Sequence, residues 1–100
     1  MAKESLSPQE IEDRLAALPE WSFEDGRIVR NYQLVDHFAA TAMVVHVARI
    51  QQELNHHSDL TLGYNTVDVA VNSHDVGGIT ERDFDLAARV EEIAPTHGAL

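Results

Sequence analysis

The stretch of sequence that decides the fold is residues 52–83, QELNHHSDLTLGYNTVDVAVNSHDVGGITERD. It contains His56, His57 and His74, which are three of the six histidines in the chain. The adjacent pair follows a long helical pattern, and His74 follows alternating valines beside the Gly77-Gly78 turn. Side chains at the ends of elements can converge on one pocket, so these histidines are candidate functional residues.

Two short alternating segments lie between the histidines. Leu60–Tyr64 and Thr66–Ser73 alternate apolar with polar residues, and the turn residues between them predict a β-hairpin. One face of the second strand carries the valines Val67, Val69 and Val71. Asp68 and Asn72 share the opposite face, which we expect to be solvated.

The N-terminal part predicts a helix followed by another hairpin. Ser7-Pro8-Gln9-Glu10 has the form of a capping box, and apolar residues recur at helical spacing until Pro19 ends the helix. Asp25-Gly26 is a tight-turn dipeptide, so we predict strands at Trp21–Glu24 and Arg27–Leu34. Trp21 is expected in the core.

A long helix is predicted from His37 to Leu54, with Asp36 as its N-cap. Its apolar stripe consists of Ala39, Met43, Val47, Ile50 and Leu54, and is broadened by Phe38, Ala42 and Val45. A face this wide predicts burial against the sheet, with apolar surface left for a partner subunit. We expect His46 to be a partly buried structural residue, and His37 and His97 to lie at the surface.

The last segment predicts a third helix. Thr80–Asp83 is a second capping signature, and a helical apolar pattern continues to Glu92 before Pro95. We expect residues 97–100 to form a frayed tail. The element order α-β-β-α-β-β-α predicts an α+β fold, in which residues 1–100 form a single domain with helices packed on one face of a four-stranded antiparallel sheet.

Composition excludes several functional classes. The chain has 100 residues, which suits one domain, and its 7 Lys and Arg against 17 Asp and Glu give a formal net charge of −10. Such a surface repels phosphate backbones, so we expect no nucleic-acid partner. No apolar run approaches the ~20 residues that span a bilayer, and Met1–Ser5 lacks an apolar signal region. We therefore expect a cytoplasmic protein without a membrane partner. Because cysteine is absent, disulfides and thiolate chemistry are excluded.

Three histidines in one pocket can both donate and accept protons near neutral pH. Three other interpretations stay open. Catalytic zinc sites commonly use three histidines, although adjacent ligands such as His56 and His57 are awkward. Alternatively, His56 stabilises the C-terminus of the helix and His57 is simply exposed. A hydroxyl nucleophile at Ser58 or Ser73 is the third alternative, although no strand–turn–helix elbow surrounds either residue.

The ordered residues of this stretch resemble the pterin-4a-carbinolamine dehydratase family. The matching set is His56-His57, Tyr64, Val67, Val69, Val71, Ser73-His74, Gly78-Ile79-Thr80 and Asp83. The resemblance implies a dehydratase that removes water from a 4a-hydroxytetrahydropterin to give the quinonoid dihydropterin, in the recycling of tetrahydropterin. We expect histidine acid/base catalysis with no cofactor and no metal, because imidazoles can perform both proton transfers.

The resemblance also implies roles for individual residues. His56 and His74 would form the acid/base pair, and His57 would hold or polarise the pterin. The expected substrate-binding residues are His57, Ser73, Asp83 and Gln52. For Asp83 we favour reciprocal capping of the last helix with Thr80, and the alternative is that it orients an imidazole or binds the pterin.

Three positions depart from the family pattern. Gln52 lies four residues before the first histidine, where members commonly have a carboxylate. A glutamine can still orient an imidazole by hydrogen bonding, but it brings no charge. Ser58 replaces the usual proline after the histidine pair, and Ser73 replaces the usual threonine before the third histidine.

Association is expected from both the pattern and the resemblance. A wide apolar helix face and open sheet edges predict a homodimer or homotetramer.

The implied substrate arises from aromatic amino-acid hydroxylases, which predicts a functional link to such an enzyme. Some family members are dimerisation cofactors of a transcription factor. The alternative function is therefore a protein-binding coactivator module with weak or no activity.

Overall fold

The computed structural model describes residues 5–100 as three α-helices beside one four-stranded antiparallel sheet. The elements in chain order are α1 (Pro8–Leu15), β1 (Ser22–Glu24), β2 (Arg27–Gln33), α2 (His37–Leu54), β3 (Asp59–Leu62), β4 (Thr66–Val71), α3 (Glu81–Ile93) and a final 3-10 turn (Ala94–His97). This confirms the predicted α+β fold and element order. The first four residues of the predicted domain lie outside the described residues.

The sheet has the order β1-β2-β4-β3, so the second strands of the two hairpins pair at its centre. Ile28 of β2 lies opposite Val71 of β4, and Tyr32 lies opposite Val67. Strand alternation places these apolar residues on the face covered by the helices, where they are buried. The helices contribute the apolar residues Met43, Val47, Ile50, Leu86 and Val90 to the same core. The other face of the sheet remains open.

Local signals fix the starts of the helices as predicted. The Ser7 hydroxyl accepts a hydrogen bond from the Glu10 amide at 3.1 Å, and the Glu10 carboxylate accepts one from the Ser7 amide at 2.8 Å. Asp36 caps α2 by accepting a hydrogen bond from the Ala39 amide at 2.8 Å. Each bond satisfies an amide that the first helical turn leaves without an intrahelical acceptor.

The C-terminal residues differ from the prediction of a frayed tail. The Leu100 amide donates to the Gln33 carbonyl at 2.8 Å, and the Ala99 amide donates to the Ala94 carbonyl at 3.1 Å. His97 is half-buried and its Nε2 lies 2.8 Å from Nδ1 of His46. The prediction was wrong because Gln33 ends β2 with a carbonyl group that the tail can reach. At the other end of the chain, α1 stops at Leu15, four residues before Pro19.

Glu91 links α3 to the sheet and confirms Trp21 as a core residue. Its Oε1 accepts hydrogen bonds from Trp21 Nε1 at 2.9 Å and from the Tyr32 hydroxyl at 2.6 Å, and Arg30 Nε lies 3.4 Å away. Burial opposes the charge of this carboxyl, but the hydrogen bonds and Arg30 outweigh burial and lower the pKa of Glu91. Burial and Glu91 together raise the pKa of Tyr32.

Candidate active site

The end of α2 determines how the adjacent histidines are presented. Asn55 adopts the left-handed conformation, with φ 52°, and thereby ends the helix. The following His56 amide donates to the Gln51 carbonyl at 3.0 Å. The two rings point to different surroundings, because His56 is buried and His57 is exposed.

His56 is held by a buried carboxylate. Its Nε2 donates to Asp83 Oδ1 at 2.6 Å, and Asp83 has no exposed surface. The other carboxylate oxygen accepts hydrogen bonds from the Ser73 hydroxyl at 2.9 Å and from the Thr80 amide at 2.8 Å. Three donors therefore satisfy one buried carboxylate, which would otherwise be costly to bury.

Asp83 therefore has two of the structural roles that the sequence left as alternatives. It completes the capping box of α3 with Thr80, and it orients the imidazole of His56. Ser73 and Asp83 are both fully buried. In this conformation they would influence a bound molecule through His56 rather than by contact.

His74 lies on a short loop that follows β4. Ser73 forms an isolated β-bridge with Gly78, and the Gly77 amide donates to the Ser73 carbonyl at 3.0 Å. Gly77 has φ 69°, a conformation that side chains disfavour. Arg82 Nη2 donates to Asp75 Oδ1 at 2.6 Å, and this hydrogen bond lowers the pKa of Asp75. These contacts hold the loop, on which His74 is exposed.

A cleft of about 500 Å³ brings His57 and His74 together. Its lining consists of His57, His74, Ser58, Asp59, Asp25, Arg27, Ala70 and Asn72. Ala70 and Asn72 belong to the face opposite the valines, so the cleft lies on the open face of the sheet. The volume is in the range of small-molecule sites. His56 lies outside this lining, with 9% of its side chain exposed, and Gln52 is exposed elsewhere on α2.

Several residues of the site were missed by the sequence analysis. Arg27 Nη1 donates to Asp59 Oδ2 at 2.6 Å across the cleft wall. Asn72 was assigned to a solvated face, yet it lines the cleft and donates to the Gly26 carbonyl at 3.4 Å. Alternation along β2 places Arg27 on the outer face, but the pairing of β2 with β4 was needed to bring it near Asn72.

A second cavity, of about 530 Å³, lies between α1 and the loop before α3. Its lining is mostly apolar and includes Ile11, Leu15, Phe23 and Ile79, and Glu12 is the one titratable side chain that the described residues contribute to it. Residues 5–100 contribute no pair of groups to this lining that could donate and accept protons. Of these two cavities, the cleft lined by His57 and His74 is therefore the better candidate for chemistry.

Within residues 5–100, no group of three or more His, Asp or Glu side chains is arranged to hold a metal ion. Across the same described range, no helix is long and apolar enough to cross a lipid bilayer.

Comparison with known proteins gives a consistent result. The family model described as pterin 4 alpha carbinolamine dehydratase matches residues 4–93. A protein of Streptomyces coelicolor, provisionally named a pterin-4-alpha-carbinolamine dehydratase, is 62% identical over 100 residues, covering 99% of each chain. A protein of Chloroflexus aurantiacus with the same provisional name is 47% identical over 88 residues, covering 88% of this chain and 95% of its own.

Two solved structures resemble the fold. A transcriptional coactivator/pterin dehydratase from Brucella melitensis has a TM-score of 0.86 and 32% identity, covering 91% of this chain and 99% of its own. A pterin dehydratase-like protein, identified as a RuBisCO assembly factor in the alpha-carboxysome, has a TM-score of 0.61 and 16% identity, covering 74% of this chain and 86% of its own. The second similarity shows the fold alone.

Proposed function

The chain belongs to the pterin 4 alpha carbinolamine dehydratase family, and from this premise we propose that it dehydrates a 4a-hydroxytetrahydropterin to the quinonoid dihydropterin. The observation that best supports the proposal is the pair of exposed imidazoles at one cleft, His57 and His74. The residue before His57, His56, lies outside the cleft lining and is fixed by Asp83. Such groups can transfer protons without moving the backbone.

The reaction needs one proton donor and one proton acceptor. The C4a–O bond breaks as a proton reaches the leaving hydroxyl, and water departs. The N5–H bond breaks as its proton passes to a base, and its electron pair forms the C4a–N5 double bond. No oxidant or reductant is involved. Each positioned acid or base contributes about 10²–10⁴-fold to such a step.

We assign His56 as the base and His74 as the acid. The Asp83 carboxylate holds the Nε2–H tautomer of His56, which leaves Nδ1 free to accept a proton and stabilises the imidazolium that forms. Because His56 lies outside the cleft lining, this role requires the substrate to extend beyond the cleft to the 9% of the His56 side chain that is exposed. His74 is exposed at the cleft and donates to the hydroxyl, and His57 holds the pterin ring.

The other polar groups of the cleft suit a pterin ring. The 2-amino group and N3–H of a pterin form a flat pair of donors, which a carboxylate can accept together. Asp25 lines the cleft and supplies such a carboxylate. Asn72 can both donate and accept. Gln52 is exposed on α2, and its predicted contact with the substrate remains part of the proposal.

A direct assay tests this function. The 4a-hydroxytetrahydropterin is generated by a hydroxylase, and its decay is followed in the presence of the purified protein. We expect acceleration over the spontaneous dehydration that is lost when His56 and His74 are both replaced by alanine. Equal rates with and without the wild-type protein would refute the proposal.

The proposed biological setting follows from the substrate. We place the protein in the cytoplasm, in tetrahydropterin recycling beside an aromatic amino-acid hydroxylase that produces the carbinolamine. Co-expression with such a hydroxylase should increase the number of hydroxylase turnovers per tetrahydropterin supplied. An unchanged number would contradict the link.

We also propose a homodimer or homotetramer. Phe38 and Val45 lie seven residues apart on α2, hence on one side of it, and are 82% and 66% exposed. The strands β1 and β3 are sheet edges. Exposed apolar side chains and unpaired edges are both stabilised by a second copy. Light scattering should give a mass of at least twice 11.1 kDa, and Phe38→Asp should lower it; a monomeric wild type refutes the assembly.

The same apolar face supports the second candidate function, a protein-binding coactivator module. The two candidates differ in what they need from the histidines. A binding module should keep its partner when His56 and His74 are replaced, and lose it with Phe38→Asp. Dehydratase activity should show the opposite dependence.

A further inference from the structure

We propose that Gln51 is a positioning residue for His57, an inference that rests on the function proposed above. His57 lies between two residues that Gln51 binds. The Gln51 carbonyl accepts a hydrogen bond from the His56 amide at 3.0 Å. The Gln51 side-chain oxygen accepts one from the Ser58 amide at 2.9 Å and a second, short one from the Ser58 hydroxyl. We call the side-chain part of this arrangement the Gln51–Ser58 clamp.

The clamp is anchored in rigid surroundings. Gln51 lies in the last turn of α2 and is 6% exposed, so its side chain is packed in one conformation. The hydrogen bonds that Gln51 accepts from His56 and Ser58 fix the path of the chain immediately before and after His57. Since the backbone path sets the direction of the side chain, the clamp determines that the His57 ring faces the cleft.

The identity of residue 58 explains why this chain needs the clamp. A proline at this position has no amide hydrogen and could not donate to Gln51. A proline would instead restrict the backbone of the preceding residue to extended conformations. The Gln51–Ser58 clamp and a proline are therefore two alternative ways to hold His57, one by hydrogen bonds and one by covalent geometry.

Kinetics of clamp variants test the proposal. Gln51→Leu keeps a similar volume but removes the acceptor, so we expect KM to rise about tenfold with a smaller change in kcat, since His57 binds the substrate. Adding Ser58→Pro should return KM to within about threefold of wild type, because proline removes the unsatisfied amide and restrains His57 again. A merely structural role predicts lower stability with an unchanged KM.

Two further variants serve as controls. Gln9→Leu replaces an exposed glutamine of α1, outside the cleft lining, and should leave KM unchanged. Ser58→Ala removes the hydroxyl but keeps the hydrogen bond from the residue 58 amide to the Gln51 side chain. It should therefore raise KM less than Gln51→Leu does. An unchanged KM in Gln51→Leu overturns the proposal. So does a rise in KM that is equal with and without Ser58→Pro.

A measurement without activity separates this proposal from the proposed function. Hydrogen exchange of the Ser58 amide, followed by NMR, should be slow in the wild type and faster in Gln51→Leu; exchange that does not depend on Gln51 overturns the clamp. An inactive wild type with Gln51-dependent exchange refutes the dehydratase and supports the clamp. Should Gln51→Leu fail to fold, Gln51→Glu retains an acceptor oxygen and should keep slow exchange, and loss of that protection overturns the clamp.

Discussion

Two histidines in or just after α2, His56 and His46, each pair with a residue of the C-terminal third of the chain, and the two partner residues differ in charge. His56 Nε2 donates to Asp83 Oδ1 at 2.6 Å, whereas His46 Nδ1 lies 2.8 Å from His97 Nε2. A carboxylate stabilises a protonated imidazole. Two neighbouring imidazoles that are both protonated repel each other, and neither has a ring nitrogen left to accept a hydrogen bond. The first pair can therefore gain a proton during a reaction, and the second loses its hydrogen bond when it is fully protonated.

The surroundings of the two pairs differ as well. His56 is followed by His57, which lines the cleft together with His74. The other pair lines a separate cavity of about 520 Å³ together with Arg49, Glu53 and Arg89. Both arginines donate hydrogen bonds to Glu53. Within residues 5–100, no carboxylate is hydrogen-bonded to His46 or His97. Proximity of two histidines alone therefore does not indicate a catalytic site. The hydrogen-bond partner of each ring and the lining of the nearby cleft are the features that distinguish the two pairs.

The largest expected effect separates the two pairs by activity. Replacing His74 or His56 with alanine should lower kcat by about 10²-fold, the usual contribution of one positioned acid or base. The matched variant His46→Gln should leave kcat within about threefold of wild type, because this ring lies outside the cleft. Single-turnover decay of the carbinolamine, corrected for spontaneous dehydration, measures both. A similar loss in His46→Gln would break the comparison.

A smaller effect is expected when the charge behind His56 is removed. Asp83→Asn keeps the size of the side chain but replaces a charge-assisted hydrogen bond with a neutral one, so we expect about a tenfold loss of kcat. Circular dichroism should confirm folding, because the capping box of α3 also changes. Thr80→Ala weakens the same cap but leaves the bond to His56, and should therefore lose stability with little loss of kcat. Equal losses of kcat in both variants would assign Asp83 a structural role only.

Much of the fold could be predicted because its signals are local. Each cap involves residues three apart, and both capping boxes formed as expected at Ser7 and Thr80. The alternating valines of β4 are likewise buried on one face. The tail could not be predicted, because the hydrogen bond from Leu100 to Gln33 joins residues far apart in sequence and depends on where β2 ends.

The site was predictable in residue type but not in arrangement. His56, His57 and His74 were expected to border one pocket, but only His57 and His74 line the cleft and His56 lies outside its lining. Spacing could not decide whether Asp83 caps α3 or orients His56. The carboxylate does both, because it has two oxygens. The sequence analysis named Gln52 and did not anticipate the role that we propose for Gln51, since a one-residue shift on a helix turns a side chain by about 100° and spacing alone does not show which of the two is buried.

The smallest expected effect concerns the pH dependence of stability at the second pair. Burial, followed by the charge of His46, lowers the pKa of His97 below its ordinary value. Below a pH of about 6.5 the unfolded chain takes up a proton that the folded His97 resists, so the free energy of unfolding falls as the pH falls. Above that pH the residue is neutral in both states and contributes no pH dependence.

His97→Gln removes this dependence. We expect urea unfolding at pH 5.5 and at pH 7.5 to differ less in the variant than in the wild type, by less than about 1 kcal/mol, since solvent screens this partly exposed pair. His37→Gln is the matched control, because His37 is exposed and its ring contacts backbone carbonyls of the β3–β4 turn rather than another imidazole. The same pH dependence in His97→Gln as in the wild type would mean that other groups, and not the second pair, resist protonation in the folded state. Because the pair lies away from the cleft, the kcat of His97→Gln at neutral pH should match that of the wild type.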